Sequence, residues 1–196
     1  MDMDRLKKQL DFVVEIDKAK NIFRQTYLSD GKRKENDAEH SWHIAIMAFI
    51  LSEYFEGADV TRVMKMVLMH DLVEIDAGDT YCYDTKANED KAQREQKCAE
   101  RIYSILPQDQ AKEFRQLWEE FEEGKTMDAN FAIILDRLQP ILLNYASDGI
   151  AWKEHDVYKE QVFARNERIL NNTKELSEYF KNIIENAVQK GYLKEK

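Results

Sequence analysis

Val63-Met64-Lys65-Met66-Val67-Leu68-Met69 is an apolar run with helical spacing, and it closes on His70-Asp71, where a core-facing helix would continue with another Leu or Val. Two other apolar runs carry the same anomaly: Glu39-His40 opens the run from Ile44 to Leu51, and Asp136 interrupts the run from Phe131 to Leu143. Imidazoles and carboxylates embedded in apolar helices are costly to bury unless they are paired or bind a metal. Three helices that each deliver a ligand-type residue therefore predict a divalent-cation site inside an all-α core.

The rest of the chain is read outward from that stretch. Residues 4–24 place Leu6, Leu10, Val13, Val14, Ile16, Ile22 and Phe23 at mostly three-and-four spacing, which predicts an amphipathic helix. The period breaks between Thr26 and Lys34, where Ser29-Asp30-Gly31 is turn chemistry. Asn36 with Glu39 predicts a capping box, which sets His40 in the first turn of a helix running toward Gly57. Asp59 predicts the N-cap of the helix that leads into His70-Asp71, and Gly78 its stop. Ile75 to Asn88 alternates polar and aromatic residues and reads as a loop over the site.

Beyond it the pattern is helical from Glu89 to Leu106, and Pro107 starts a further helix. Asp128 is expected to open the Asp136 helix, which runs to about Ala146 with a kink at Pro140. A long charged helix is expected from Lys153, and Asn172 with Glu175 predicts a capping box for a last helix ending at Gly191. The sum is one all-α domain over residues 1–196 with about seven or eight helices, the C-terminal ones (about 153–191) packed on it or extending from it.

Composition narrows the function. Hydrophobic residues are 43% of the chain, enough for a core despite 34% charged residues. The net charge of −9 disfavours long nucleic acids, which need a basic face, and leaves room for a small phosphate compound held by a metal and a few cations. Cys82 and Cys98 have neither zinc nor redox spacing and read as free thiols of a reducing cytoplasm. Met1-Asp2-Met3-Asp4-Arg5 lacks the apolar core of a signal peptide, and no stretch reaches the roughly 18–20 apolar residues of a membrane span, so a cytoplasmic protein without membrane contact is expected.

Two neutral histidines and two carboxylates balance a 2+ ion and suit Mn²⁺, Co²⁺, Zn²⁺, Fe²⁺ or Mg²⁺ without selecting among them. Adjacent residues such as His70 and Asp71 diverge on an ideal helix, so they converge on one ion only where the helix ends. A lone His-Asp pair would equally read as an interhelical hydrogen bond. Glu74, three residues after Asp71, faces the same region if the helix persists, where a carboxylate can exchange a proton with water or a leaving group.

In order and flanks, Glu39-His40, His70-Asp71 and Asp136 within Leu135-Asp136-Arg137-Leu138 resemble the His…His-Asp…Asp signature of the HD-domain metal-dependent phosphohydrolases. The likeness spans roughly residues 5–165 and is greatest to the compact 5′-nucleotidase-like and oxetanocin-type branch, on the flanks Arg33 to Trp42 and His70 to Thr80. It implies the helical HD fold and one metal ion on His40, His70, Asp71 and Asp136. It also implies a catalytic role for Glu74 of His-Asp-x-x-Glu, Asp79 at the substrate side, and Arg24 on the substrate phosphate, with Arg33, Lys86 and Arg94 as further cations. His43 and His155 fall outside the pattern. Where that branch carries a Trp after the arginine, this chain has Gln25-Thr26.

Two-metal and di-iron members need additional histidines, and residues 72–135 contain none. The activity implied is release of phosphate from nucleoside 5′-monophosphates or deoxynucleotides; homodimerisation is a habit of the family. Hydrolysis of a larger phosphate compound, such as an alarmone or a nucleoside triphosphate, stays open, as does a non-enzymatic scaffold that keeps the metal for stability.

Overall fold

A computed structural model describes residues 3–84, 86–87 and 89–196. The Met1-Asp2 start and Asn88, the expected end of the loop, lie outside the described residues. Among the described residues seven helices have ten residues or more: α1 (Met3–Glu15), α2 (Asp37–Ile50), α3 (Val60–Met69), α5 (Lys91–Tyr103), α6 (Gln108–Glu123), α7 (Met127–Ala146) and α11 (Lys174–Gln189). Shorter ones are α4 (Glu74–Ala77), α8 (Ile150–Glu154), α9 (Lys159–Arg165) and α10 (Glu167–Leu170). The fold is all-α, with one two-stranded antiparallel ribbon of β1 (Phe23–Tyr27) and β2 (Lys34–Asn36).

Helices α2, α3 and α7 pack against one another at the centre, and Ile44, Val63, Val67, Phe131, Ile134 and Leu135 are fully buried between them. Phe55 stacks on Phe131 with ring centroids 3.7 Å apart. Phe180, Ile184 and Ala187 of α11 belong to the same core. A second apolar cluster, with Phe12, Ile102, Tyr103 and Trp118, joins α1, α5 and α6 beneath His70–Val73.

The capping signals locate the central helices. Asn36 accepts from the Glu39 amide while the Glu39 carboxylate accepts from the Asn36 amide, the reciprocal pair that starts α2. Asp59 caps α3 through the Arg62 amide. At His70 the α-helix gives way to a tighter 3₁₀ turn, His70–Val73, before α4 ends at Gly78 with φ of 74°.

Four expectations need correcting. The first helix does not reach residue 24: it ends at Glu15, a 3₁₀ segment follows (Ile16–Asn21), and Phe23 and Arg24 begin β1, because Asp37 donates its amide to Ile22 and Phe23 pairs with Asn36. Helix α7 is opened by Thr126, whose hydroxyl accepts from the Ala129 amide, while Asp128 accepts from the Asp59 amide at the start of α3. The helix expected from Lys153 is three short ones, broken where Asp156 takes φ of 53° and Val157 turns inward. Thr173, rather than Asn172, caps α11.

Gly149 carries the sharp turn from α7 into α8 at φ of 68°, and a Cβ there would meet the Tyr192 Cβ at 2.5 Å and its backbone at 2.9 Å. Both the left-handed backbone and the clash oppose a side chain. Gly149→Ala should cost about 2 kcal/mol or more, read as a lower midpoint in denaturant unfolding.

Candidate metal centre and its cleft

His40 is fully buried in the first turn of α2, and its orientation is set by a relay of side chains. Gln139 of α7 directs its amide nitrogen at Glu35 Oε1, 2.6 Å away, and at His43 Nδ1, 3.1 Å away. A carboxylate oxygen at that distance accepts an N–H and repels a carbonyl, so the Gln139 Oε1 faces the other way, 3.1 Å from His40 Nδ1. Nδ1 of His40 therefore holds a proton and donates it, leaving Nε2 to face Asp136 Oδ1 at 3.1 Å and Asp71 Oδ2 at 3.9 Å.

His70 repeats the arrangement with a backbone partner. Its Nδ1 donates to the Val67 carbonyl at 2.9 Å. Its buried Nε2 makes no hydrogen bond among the described residues, yet lies 3.0 Å from Asp71 Oδ1 and 3.6 Å from Asp136 Oδ1. Neighbouring ligands of a tetrahedral ion with bonds of about 2.1 Å stand about 3.4 Å apart. The four separations here, 3.0 to 3.9 Å, bracket that spacing. Two imidazoles with Nδ1 engaged and Nε2 turned on two carboxylates form a donor set that fits a divalent ion.

The charges point the same way. Burial lowers the pKa of His70, but Asp71 and Asp136 outweigh it and push it up to about 10. Asp136 is raised by burial yet held well below the carboxylate range by His40 and His70. A pocket that binds a proton so tightly offers the same attraction to a metal cation.

Arg24, placed by β1, lies on this cluster: Nη1 donates to Asp71 Oδ2 at 2.7 Å and stands 3.7 Å from Asp37 Oδ1, and Nη2 is 3.8 Å from Asp136 Oδ1. Asp37, which sequence reasoning missed, is 1% exposed with neither carboxylate oxygen hydrogen-bonded among the described residues. Burial and then Asp71 push its pKa up to about 8. Glu74 on α4 is buried with Oε2 unpartnered among the described residues, and its carboxylate groups with those of Asp37 and Asp71 within 4.8 Å. Burial, Asp71 and Asp37 raise its pKa well above the ordinary glutamate value.

The cluster forms one wall of a cleft that opens to solvent. Asp79 lines it, raised by burial against the lowering effect of Arg24. Gln25 and Thr26 stand at its edge, as do Tyr81 and Tyr83 of the loop after α4. Arg33 does not reach the cleft; it holds Glu39 through two hydrogen bonds of 2.8 and 2.6 Å and so braces the cap of α2. Arg94 is spent on the loop, donating to the Ala77 and Ala87 carbonyls and to Thr80. His155 is exposed and packs its ring on Tyr81, centroids 4.2 Å apart.

Sequence reasoning also missed Glu35, Gln139, Lys91, Glu95, Arg137 and Arg165. Only Gln139 left a signal: it is an amide in an apolar helix three residues after Asp136, hence on nearly the same face.

Residues 16–177 match the family model of the HD domain. In sequence, the 5′-deoxynucleotidase HDDC2 of Homo sapiens is 32% identical over 111 residues, 57% of this chain and 53% of that protein. The protein of the same name from Dictyostelium discoideum is 28% identical over 147 residues, 71% and 77% of the two chains. The chain thus spans about half the length of the vertebrate relatives it matches. In structure, a crystal structure described as a predicted metal-dependent phosphohydrolase from Magnetospirillum magnetotacticum superposes with a TM-score of 0.92 at 51% identity, covering 97% of this chain and 96% of the other.

The relay predicts how Gln139 acts. Gln139→Ala leaves Glu35 and the His40 Nδ1–H buried without partners, which should cost about 2–3 kcal/mol of stability and weaken metal affinity by about 10–100-fold. Thermal unfolding and a Co²⁺ titration check the two effects. Unchanged Co²⁺ affinity would mean that the ring holds its orientation unaided.

Proposed function

The chain belongs to the HD-domain family, and from that premise we propose that it is a metal-dependent phosphohydrolase that releases phosphate from a nucleotide, the nucleoside 5′-monophosphates and deoxynucleotides being the simplest members of that class. The names of its relatives, a 5′-deoxynucleotidase and a metal-dependent phosphohydrolase, support the reading. The observation that carries it is the paired imidazole geometry, in which both Nε2 atoms face Asp71 and Asp136. In this reading His40, His70, Asp71 and Asp136 hold one divalent ion. When bound, such an ion lowers the pKa of a water and neutralises part of the phosphoryl charge.

The remaining steps fall to the chain itself. Arg24 turns from the cluster carboxylates to a phosphoryl oxygen, its side chain lining the cleft and 14% exposed. Glu74, its pKa raised by burial and Oε2 lacking a partner among the described residues, hands a proton to the leaving-group oxygen or, when ionised, takes one from the attacking water. Asp79 contacts the substrate from the loop side. A scaffold that keeps a metal for stability alone has no use for a buried, unpartnered Glu74, which favours the enzyme.

We take residues 1–196 as one HD unit, since α11 shares its core with α2 and α7. Trp42, Ile46 and Phe49 project a continuous apolar stripe from α2, which supports a homodimer. No helix among the described residues is long and apolar enough to cross a membrane. The unpaired Cys82 and Cys98 support a cytoplasmic setting.

Glu74 separates enzyme from scaffold. It is not needed to complete a four-ligand site, so Glu74→Gln should keep the metal and the fold, while phosphate release from nucleoside monophosphates falls by about 10²–10⁴-fold. Release near the wild-type rate at full metal occupancy would make the carboxylate a bystander and pass the proton transfer to Asp79.

A further inference from the structure

Among the described residues every arginine except three pairs with a carboxylate. Of the three, Arg168 is occupied away from the cleft by the Gly124 carbonyl and Asn130. The other two, Arg137 and Arg165, both line the cleft. They stand against each other, Arg137 Nη1 donating to the Arg165 carbonyl at 2.7 Å, and this is the one side-chain hydrogen bond recorded for either among the described residues. Burial lowers the pKa of Arg137 and Arg165 is close enough to lower it further, with Asp136 opposing only in part, and neither arginine forms an ion pair among the described residues although the chain has 38 acidic residues. A cleft wall focuses that uncompensated field on whatever enters.

The pair does not serve the cluster. Arg24 reaches Asp37, Asp71 and Asp136, whereas neither Arg137 nor Arg165 forms an ion pair with any of them. Arg137 follows Asp136 on α7 and so points about 100° away around the helix. Beside the two cations, Asn144 and Asn166 present buried Oδ1 atoms without a partner among the described residues. Their amide nitrogens are tied to the Pro140 and Val162 carbonyls at 2.8 and 2.7 Å, so each oxygen is a fixed acceptor. An acceptor held this way suits an O–H or N–H donor and gains nothing from a bare anion.

We propose that Arg137 and Arg165 hold a second anionic group of the substrate, so that the preferred substrate is an organic compound with two phosphoryl groups, one at the cluster and one at this pair. Asn144 and Asn166 take hydroxyl or amino hydrogens of the organic part between them. The proposal rests on the reading of the cluster as a phosphate-hydrolysing centre and narrows its substrate class within the nucleotides. The second phosphoryl group can sit on the sugar or extend the 5′-phosphate, and the two cases share the same chemistry at the arginines.

The test measures binding of AMP, ADP and adenosine 3′,5′-bisphosphate to the Mn²⁺-loaded full chain by calorimetry, in the slow-turnover Glu74→Gln background. One of the two-phosphate compounds should bind at least about tenfold more tightly than AMP, as added charge-assisted hydrogen bonds imply; which one does so places the second phosphoryl group. Arg165→Gln, at an exposed side chain with no recorded bond to lose, should bring that ratio to within about twofold of one. Arg137→Gln should do the same. AMP binding as tightly as both compounds, or a ratio that survives both substitutions, would overturn the proposal. A parallel phosphate-release assay on the wild-type chain keeps the two readings apart. Release from AMP with no binding advantage sinks the second subsite alone, and a binding advantage with no release from any compound sinks the hydrolase reading alone.

Discussion

An excess of buried negative charge is the constraint on which the rest of this structure depends. Asp37, Asp71, Glu74 and Asp136 converge around a single arginine, Arg24, within a protein interior where an uncompensated carboxylate is expensive. The chain meets the demand in three ways. Asp71 and Asp136 draw on the two histidines, the pKa values of Asp37 and Glu74 rise so that each favours its neutral form more than a free carboxyl does, and Arg24 spans what is left. Each of these is a substitute for a cation. The helices around the cluster hold it in that state by packing apolar surface behind every ligand, with Ile44, Val67 and Leu135 fully enclosed.

Specificity of orientation comes from neutral groups. The Val67 carbonyl and the Gln139 amide are uncharged, yet they decide which nitrogen of each imidazole faces the carboxylates. Glu35 matters at one remove, since it decides which way the Gln139 amide turns. The same division of labour holds along the cleft, where arginines supply charge and the Asn144 and Asn166 amides supply direction.

Much of this was legible in the sequence because it is written in local terms. The Asn36–Glu39 box, the Asp59 cap and the apolar run that ends on His70-Asp71 each involve residues within one or two helical turns, and all three stand as expected. What escaped was non-local or unpunctuated. The ribbon of Phe23–Tyr27 with Lys34–Asn36 is too short to show a period of two, and its apolar Ile22 and Phe23 continue the spacing of the helix before it. The breaks after α8 and α9 fall at Asp156 and Asn166, where neither Gly nor Pro marks them and only tertiary packing of Val157 and Ile169 requires the chain to turn. Arg137 and Arg165 are 28 residues apart and meet only because α9 folds back on α7.

The ribbon has one more consequence, for how this sequence can change length over generations. It pairs Phe23 with Asn36 and, after a shift of register within β1, Tyr27 with Lys34, so the cation of the cluster and the cap of the His40 helix are tied together by the Phe23–Asn36 pair. Strand side chains alternate faces, so a gain or loss of one residue at the Phe23–Asn36 pair would swing Arg24 away from Asp71 while leaving every helix intact. The turn between them, closed by the Leu28 amide on the Arg33 carbonyl, lies outside that register and tolerates residues being added. The constraint on length is thus tightest around Phe23, Arg24 and Asn36 and loosest in the turn between residues 28 and 33.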